Sequence, residues 1–220
     1  MSRDAVEVET GPQPTGTVIW LHGLGADGHD FEPIVPELAA RAPRALRFVF
    51  PHAPLRPVTI NNGYVMRAWY DITAIDGRRA EDEPGIRASQ AAITQLIEHE
   101  SARGIAPAHI VLAGFSQGGA MALFTGTRYP QRLAGIMALS CYQVLAARFD
   151  AERGAANQST PVFMAHGTQD PVVPLALGEA AWHQLQAAGY PVEWHTYGMP
   201  HSVCPQEVTD IAAWLRRVLT

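Results

Sequence analysis

The chain is poor in the residues and spacings that build metal or disulfide scaffolds. It has two cysteines, Cys141 and Cys204, in 220 residues. They make no disulfide framework and read as free thiols in a reducing compartment. The nine histidines include no His-Glu-x-x-His motif, and there is no Cys-x-x-Cys, so no metal site is expected. Basic runs are missing too. Sixteen basic against 21 acidic residues leave a net charge of −5, which argues against nucleic acid as a partner. No apolar run is long enough to span a bilayer, and Met1 to Glu9 hold no apolar signal core. The expectation is a cytoplasmic protein with no integral membrane segment. No linker, repeat or second core is visible, so one domain over residues 1–220 is expected.

What the sequence does have is alternation. The apolar runs Thr17–Leu21, Leu46–Phe50, His109–Ala113, Leu133–Leu139 and Pro161–Ala165 read as buried strands. Val192–Tyr197 alternates as a less buried strand, and Ala5–Glu9 reads as a short edge strand. Helical periodicity occupies Phe31–Ala40, Ile86–Arg103, Gln117–Arg128, Leu177–Ala188 and the segment after Pro205, while 143–160 is weakly helical. This order predicts an α/β fold, a mostly parallel central sheet with helices on both faces. Ligands of such sheets gather beyond the carboxyl ends of the strands. From Pro51 to about Glu83 no period appears. That segment contains Arg67-Ala68-Trp69-Tyr70-Asp71-Ile72 and is a candidate substrate-covering segment.

The chemistry centres on Gly114-Phe115-Ser116-Gln117-Gly118, between a buried strand and a helix. A serine on so sharp a turn crowds the residues two before and two after it, so both must lack a Cβ. Serine is a weak nucleophile and needs a base, which in turn needs an orienting acid. His201 follows the last strand and is preferred as base. His166 and His22 also follow strands, but each sits in a His-Gly pair that commonly supports a turn. Asp170, in a stiff loop before Pro171, is the preferred acid over Asp76, Asp150 and Asp210. The order Ser116, Asp170, His201 is that of the α/β-hydrolase arrangement. An oxyanion needs preorganised donors: the backbone N–H of Gln117, and one from the loop His22-Gly23-Leu24-Gly25.

The residues then resemble a family. Leu21-His22-Gly23-Leu24-Gly25-Ala26-Asp27-Gly28, Phe50-Pro51-His52-Ala53-Pro54, Trp69-Tyr70-Asp71-Ile72, Gly114-Phe115-Ser116-Gln117-Gly118-Gly119, His166 to Pro174 and Tyr197-Gly198-Met199-Pro200-His201 run in the order of the small carboxylesterases and acyl-protein thioesterases. The resemblance covers nearly the whole chain. It implies an α/β-hydrolase fold and a serine hydrolase with Ser116, Asp170 and His201 as triad. It further implies the backbone N–H groups of Leu24 and Gln117 as oxyanion hole, a cytosolic location, no cofactor and often a homodimer. The substrate is a small-molecule ester or thioester, expected against Trp69, Tyr142 and Val172. Residues 57–63 look more like the bacterial carboxylesterase branch. The chain departs from the family after Tyr142, where Gln143-Val144 stands in place of a Leu-Pro pair.

Overall fold

Nine strands form along the described part of the chain: β1 (Ala5–Glu9), β2 (Gly16–Leu21), β3 (Leu46–Pro51), β4 (Leu55–Val58), β5 (Tyr64–Arg67), β6 (Ile110–Phe115), β7 (Gly135–Leu139), β8 (Val162–Gly167) and β9 (Val192–Tyr197). The computed structural model describes residues 5–40, 42, 44–73 and 81–220. Seven strands pair in the order β1-β3-β2-β6-β7-β8-β9. Only β1 runs antiparallel to its neighbour; every other ladder in this sheet is parallel. β4 and β5 make a separate antiparallel hairpin.

The helices are α1 (Val35–Ala39), α2 (Glu83–Ala102), α3 (Gln117–Gly126), α4 (Phe149–Glu152), α5 (Leu175–Ala187) and α6 (Pro205–Val218). They create two apolar layers, and β2 shows how. Ile19 and Leu21 join the core that holds Ile93, Leu123 and Leu185 of α2, α3 and α5. Val18 and Trp20 join the core that holds Leu38 of α1 and Trp214 of α6. Successive side chains of a strand point to opposite faces, so a strand covered on both sides must be apolar throughout. Each large side chain so buried contributes roughly 1.5–3 kcal/mol.

Several boundaries differ from expectation for local reasons. The helix expected over Phe31–Ala40 is a 3-10 turn, Glu32–Ile34, followed by the five residues of α1, with Pro33 and Pro36 in their opening turns. The helix α2 begins three residues earlier than its apolar period, because Asp82 accepts the Gly85 N–H and Pro84 suits the first turn. The hairpin β4–β5 lies in the stretch without a period. Asn62 and Gly63 turn it, both at positive φ. Asp76 and residues 74–80 of the same stretch lie outside the described residues. Among the described residues no helix is long and apolar enough to cross a membrane, and no cluster of His, Cys, Asp or Glu could hold a metal ion.

Candidate active site

Ser116 occupies the turn from β6 into α3 at φ 54° and ψ −120°. A non-glycine residue there costs about 1–3 kcal/mol and persists only where neighbours enforce it. Here they do. A Cβ on Gly114 would stand 2.3 Å from the Gly118 backbone, and one on Gly118 would stand 2.2 Å from the Leu21 carbonyl oxygen. The Ser116 N–H donates to Leu139 O at 2.8 Å, tying the turn to β7.

Two other strand ends reach the same place. His201, four residues beyond β9, sets Nε2 2.9 Å from Ser116 Oγ. Its Nδ1 lies 2.6 Å from Asp170 Oδ2. Phe115 packs beside the imidazole, with ring centroids 4.7 Å apart. Asp170 stands beyond β8 and is fixed by its own loop: Oδ1 accepts the N–H groups of Val172 at 2.8 Å and Val173 at 2.9 Å. The structure thus brings Ser116, His201 and Asp170 into one hydrogen-bonded line. Asp150 instead pairs with Arg153, and Asp210 accepts the Tyr197 hydroxyl.

The other two histidines at strand ends support turns. His166 Nε2 bonds the Val173 carbonyl at 2.9 Å. His22 Nε2 accepts the Ala53 N–H at 3.0 Å, which leaves the proton on Nδ1, 2.7 Å from Gly23 O. Burial holds both imidazoles below the usual histidine range, and hence neutral. In a trans peptide, C=O and the next N–H point opposite ways. By taking Gly23 O, the His22 ring therefore turns the Leu24 N–H away from itself. Gly23 packs against Phe115 and Ser116, where an added Cβ would lie 3.4 Å from each. Gln117 opens α3, so its N–H has no acceptor within the helix.

The residues expected against substrate take three different positions. Val172 is exposed next to Asp170. Tyr142 is half-buried, its hydroxyl 2.9 Å from that of Tyr70. Burial, together with the Tyr142 phenol, keeps Tyr70 well above the ordinary phenol range; burial raises Tyr142 to about 12 against the Tyr70 hydrogen bond, which draws it down, and burial also raises the Cys141 thiol. These three side chains are uncharged at neutral pH. Trp69 is 3% exposed; its main-chain N–H donates to Gln117 Oε1 at 2.8 Å and its indole N–H to His22 O at 2.9 Å. Sequence pattern marks Gln117 only for its main-chain N–H and Tyr70 only as part of the Trp69–Ile72 motif, and no local signal marks their long-range hydrogen bonds.

The phospholipase/carboxylesterase family model matches residues 3–219. Acyl-protein thioesterase 1 of Neurospora crassa is 46% identical over 91% of this chain and 86% of its own. Acyl-protein thioesterase 1 of Gibberella zeae is 41% identical over 94% and 92%. The crystal structure of Arabidopsis thaliana SOBER1 superposes with a TM-score of 0.84 at 32% identity, over 93% of this chain and 99% of that one. The two thioesterase relatives are fungal and give no support to the bacterial affinity expected from residues 57–63. The chain belongs to the phospholipase/carboxylesterase family and is an α/β-hydrolase-fold enzyme that cleaves carboxylic esters.

Proposed function

We propose that this enzyme works through an acyl-Ser116 intermediate, with His201 as base, Asp170 as its orienting acid, and the N–H groups of Leu24 and Gln117 as oxyanion donors. The observation that carries the reading is the line Ser116 Oγ, His201 Nε2, His201 Nδ1, Asp170 Oδ2, at 2.9 and 2.6 Å. Ser116 Oγ attacks the acyl carbon as its proton passes to His201 Nε2. The carbonyl oxygen becomes an oxyanion held by the two N–H groups. The imidazolium, stabilised by Asp170, returns the proton to the leaving alcohol or thiol. Water then attacks the acyl-enzyme, giving its proton to His201, and collapse frees the carboxylic acid and Ser116.

The acyl group would be short to medium in length. Leu55, Tyr64 and Val65 of the hairpin and Val172 expose apolar surface. The hairpin is tied to the candidate oxyanion loop by the Gly25 N–H, which donates to Arg67 O at 2.9 Å. A thioester reading is favoured by one observation: relatives 38–46% identical are named acyl-protein thioesterase 1. The reading extends to a cytoplasmic homodimer that uses no cofactor, as the family resemblance implies.

The test is a competition panel of oxygen esters, thioesters and lysophospholipids of graded chain length, run beside Ser116→Ala and fluorophosphonate labelling. The expected result is labelling of Ser116 only in the wild type and loss of turnover in the variant. Full activity in Ser116→Ala would overturn the assignment.

A further inference from the structure

Both polar ends of the Gln117 side chain are engaged, and both by one short stretch of backbone. Oε1 accepts the Trp69 N–H at 2.8 Å, and Nε2 donates to the Tyr70 carbonyl at 2.8 Å. Trp69 extends the connection in two further directions. Its carbonyl accepts the hydroxyl of Ser89 on α2. Its indole N–H donates to the His22 carbonyl, immediately before Gly23. At the far end of that loop Gly25 N–H donates to Arg67 O. Arg67 in turn donates to Ala53 O, and Ala53 N–H donates to the His22 ring. Gln117, Trp69, His22 and Ser89 are all buried.

We infer that Trp69 is a positioning residue for the oxyanion hole, aligning its two halves through the His22 carbonyl and the Gln117 amide. The inference rests on the proposed roles of Leu24 and Gln117. The two candidate donors sit on separate loops, one after β2 and one opening α3. Their strands pair directly, Leu21 against Gly114, and Gly118 packs on the Leu21 carbonyl, which brings the loops together but bonds neither the Gln117 side chain nor the His22 carbonyl. Trp69 holds both: its backbone fixes the side chain of Gln117, and its indole fixes the peptide that precedes Gly23 and Leu24. Buried polar groups do not exchange partners with water, so removing one donor strands its acceptor. A misalignment of about 1 Å is enough to cost 100-fold in rate. Trp69 thus acts on the transition state, where the oxyanion exists, and only weakly on ground-state binding.

Two variants separate this role from a substrate contact. Trp69→Phe keeps an aromatic ring and deletes the indole donor. We expect kcat to fall about 10- to 100-fold with KM unchanged, and the affinity for a trifluoromethyl ketone transition-state analogue to fall by the same factor. Q117E keeps the main-chain N–H. Its carboxyl, when protonated, reproduces both hydrogen bonds; when ionised, it opposes the Tyr70 carbonyl. Q117E should therefore lose kcat relative to the wild type as pH rises through the range in which its carboxyl ionises. A raised KM with unchanged kcat in Trp69→Phe, or a Q117E profile parallel to the wild type, would overturn the inference while leaving the hydrolase reading intact. Activity retained in Ser116→Ala would remove both.

Discussion

Gly178 stands against the ring of His166: a Cβ built there would lie 2.4 Å from Nδ1. The contact matters because His166 is a strut for the candidate acid. It bonds the Val173 carbonyl while the Val173 N–H bonds Asp170. Gly178→Ala should displace the ring and, through it, the loop carrying Asp170. Overpacking of this kind costs about 1–3 kcal/mol. A thermal melt together with kcat should show both falling; a variant with a wild-type melt and wild-type turnover would argue against the strut.

Asp170→Asn separates the two duties of that side chain. An amide can still accept the Val172 and Val173 N–H groups through its oxygen. Its nitrogen then faces His201 Nδ1, a donor against a donor, which favours the wrong tautomer. The expected outcome is a normally folded protein whose kcat falls by roughly 10³–10⁴. A loss under tenfold would show that His201 does not depend on Asp170.

Glu207 makes a prediction in pH. It is fully buried at the start of α6. Burial pushes its carboxyl from the usual 4.5 up to about 8, against the Cys204 N–H, which draws it down. Between those values the folded chain keeps a proton that the unfolded chain has released, so stability falls as pH rises from about 4.5 to 8. Glu207→Gln removes that slope. Relative to the wild type, it should gain on the order of 3 kcal/mol between pH 5 and pH 8, read from denaturant melts at both. Parallel stability curves would contradict the assignment.

Gly63 and Gly118 should respond differently to the same substitution. Gly63 lies at φ +76° with open space around its Cα, so Gly63→Ala pays only the left-handed backbone cost of about 1–2 kcal/mol. Gly118→Ala places a Cβ 2.2 Å from Leu21 O, where only movement of the turn carrying Ser116 relieves it. Soluble yield and fluorophosphonate labelling should survive the first change and fail in the second.

These glycines also show why parts of the molecule were legible in sequence. The motif around Ser116 can be read because its geometry forbids a Cβ at two fixed positions. The central strands can be read because cover on both faces demands unbroken apolar runs. The hairpin escapes periodicity because each strand has four residues, half of them exposed, and one contains Pro57; its Asn62-Gly63 turn is the available signal. Trp69 reads as contact area, since aromatic residues suggest surface for a ligand. Its hydrogen bonds cross 47 and 48 positions, and no periodicity records a partner so distant.

The parallel sheet also sets a temporal order. Ser116 and His201 are 85 positions apart and Asp170 and His201 are 31 apart, each following a different strand of the run β6-β7-β8-β9. Parallel neighbours cannot be joined by a tight turn, and contacts of such long sequence separation form slowly. Helices and the β2–β6 centre can gather before β9 docks, but the hydrogen bond from the Ser116 hydroxyl to His201 cannot form until it has. Hydrolysis therefore cannot return on refolding before the last strand has docked.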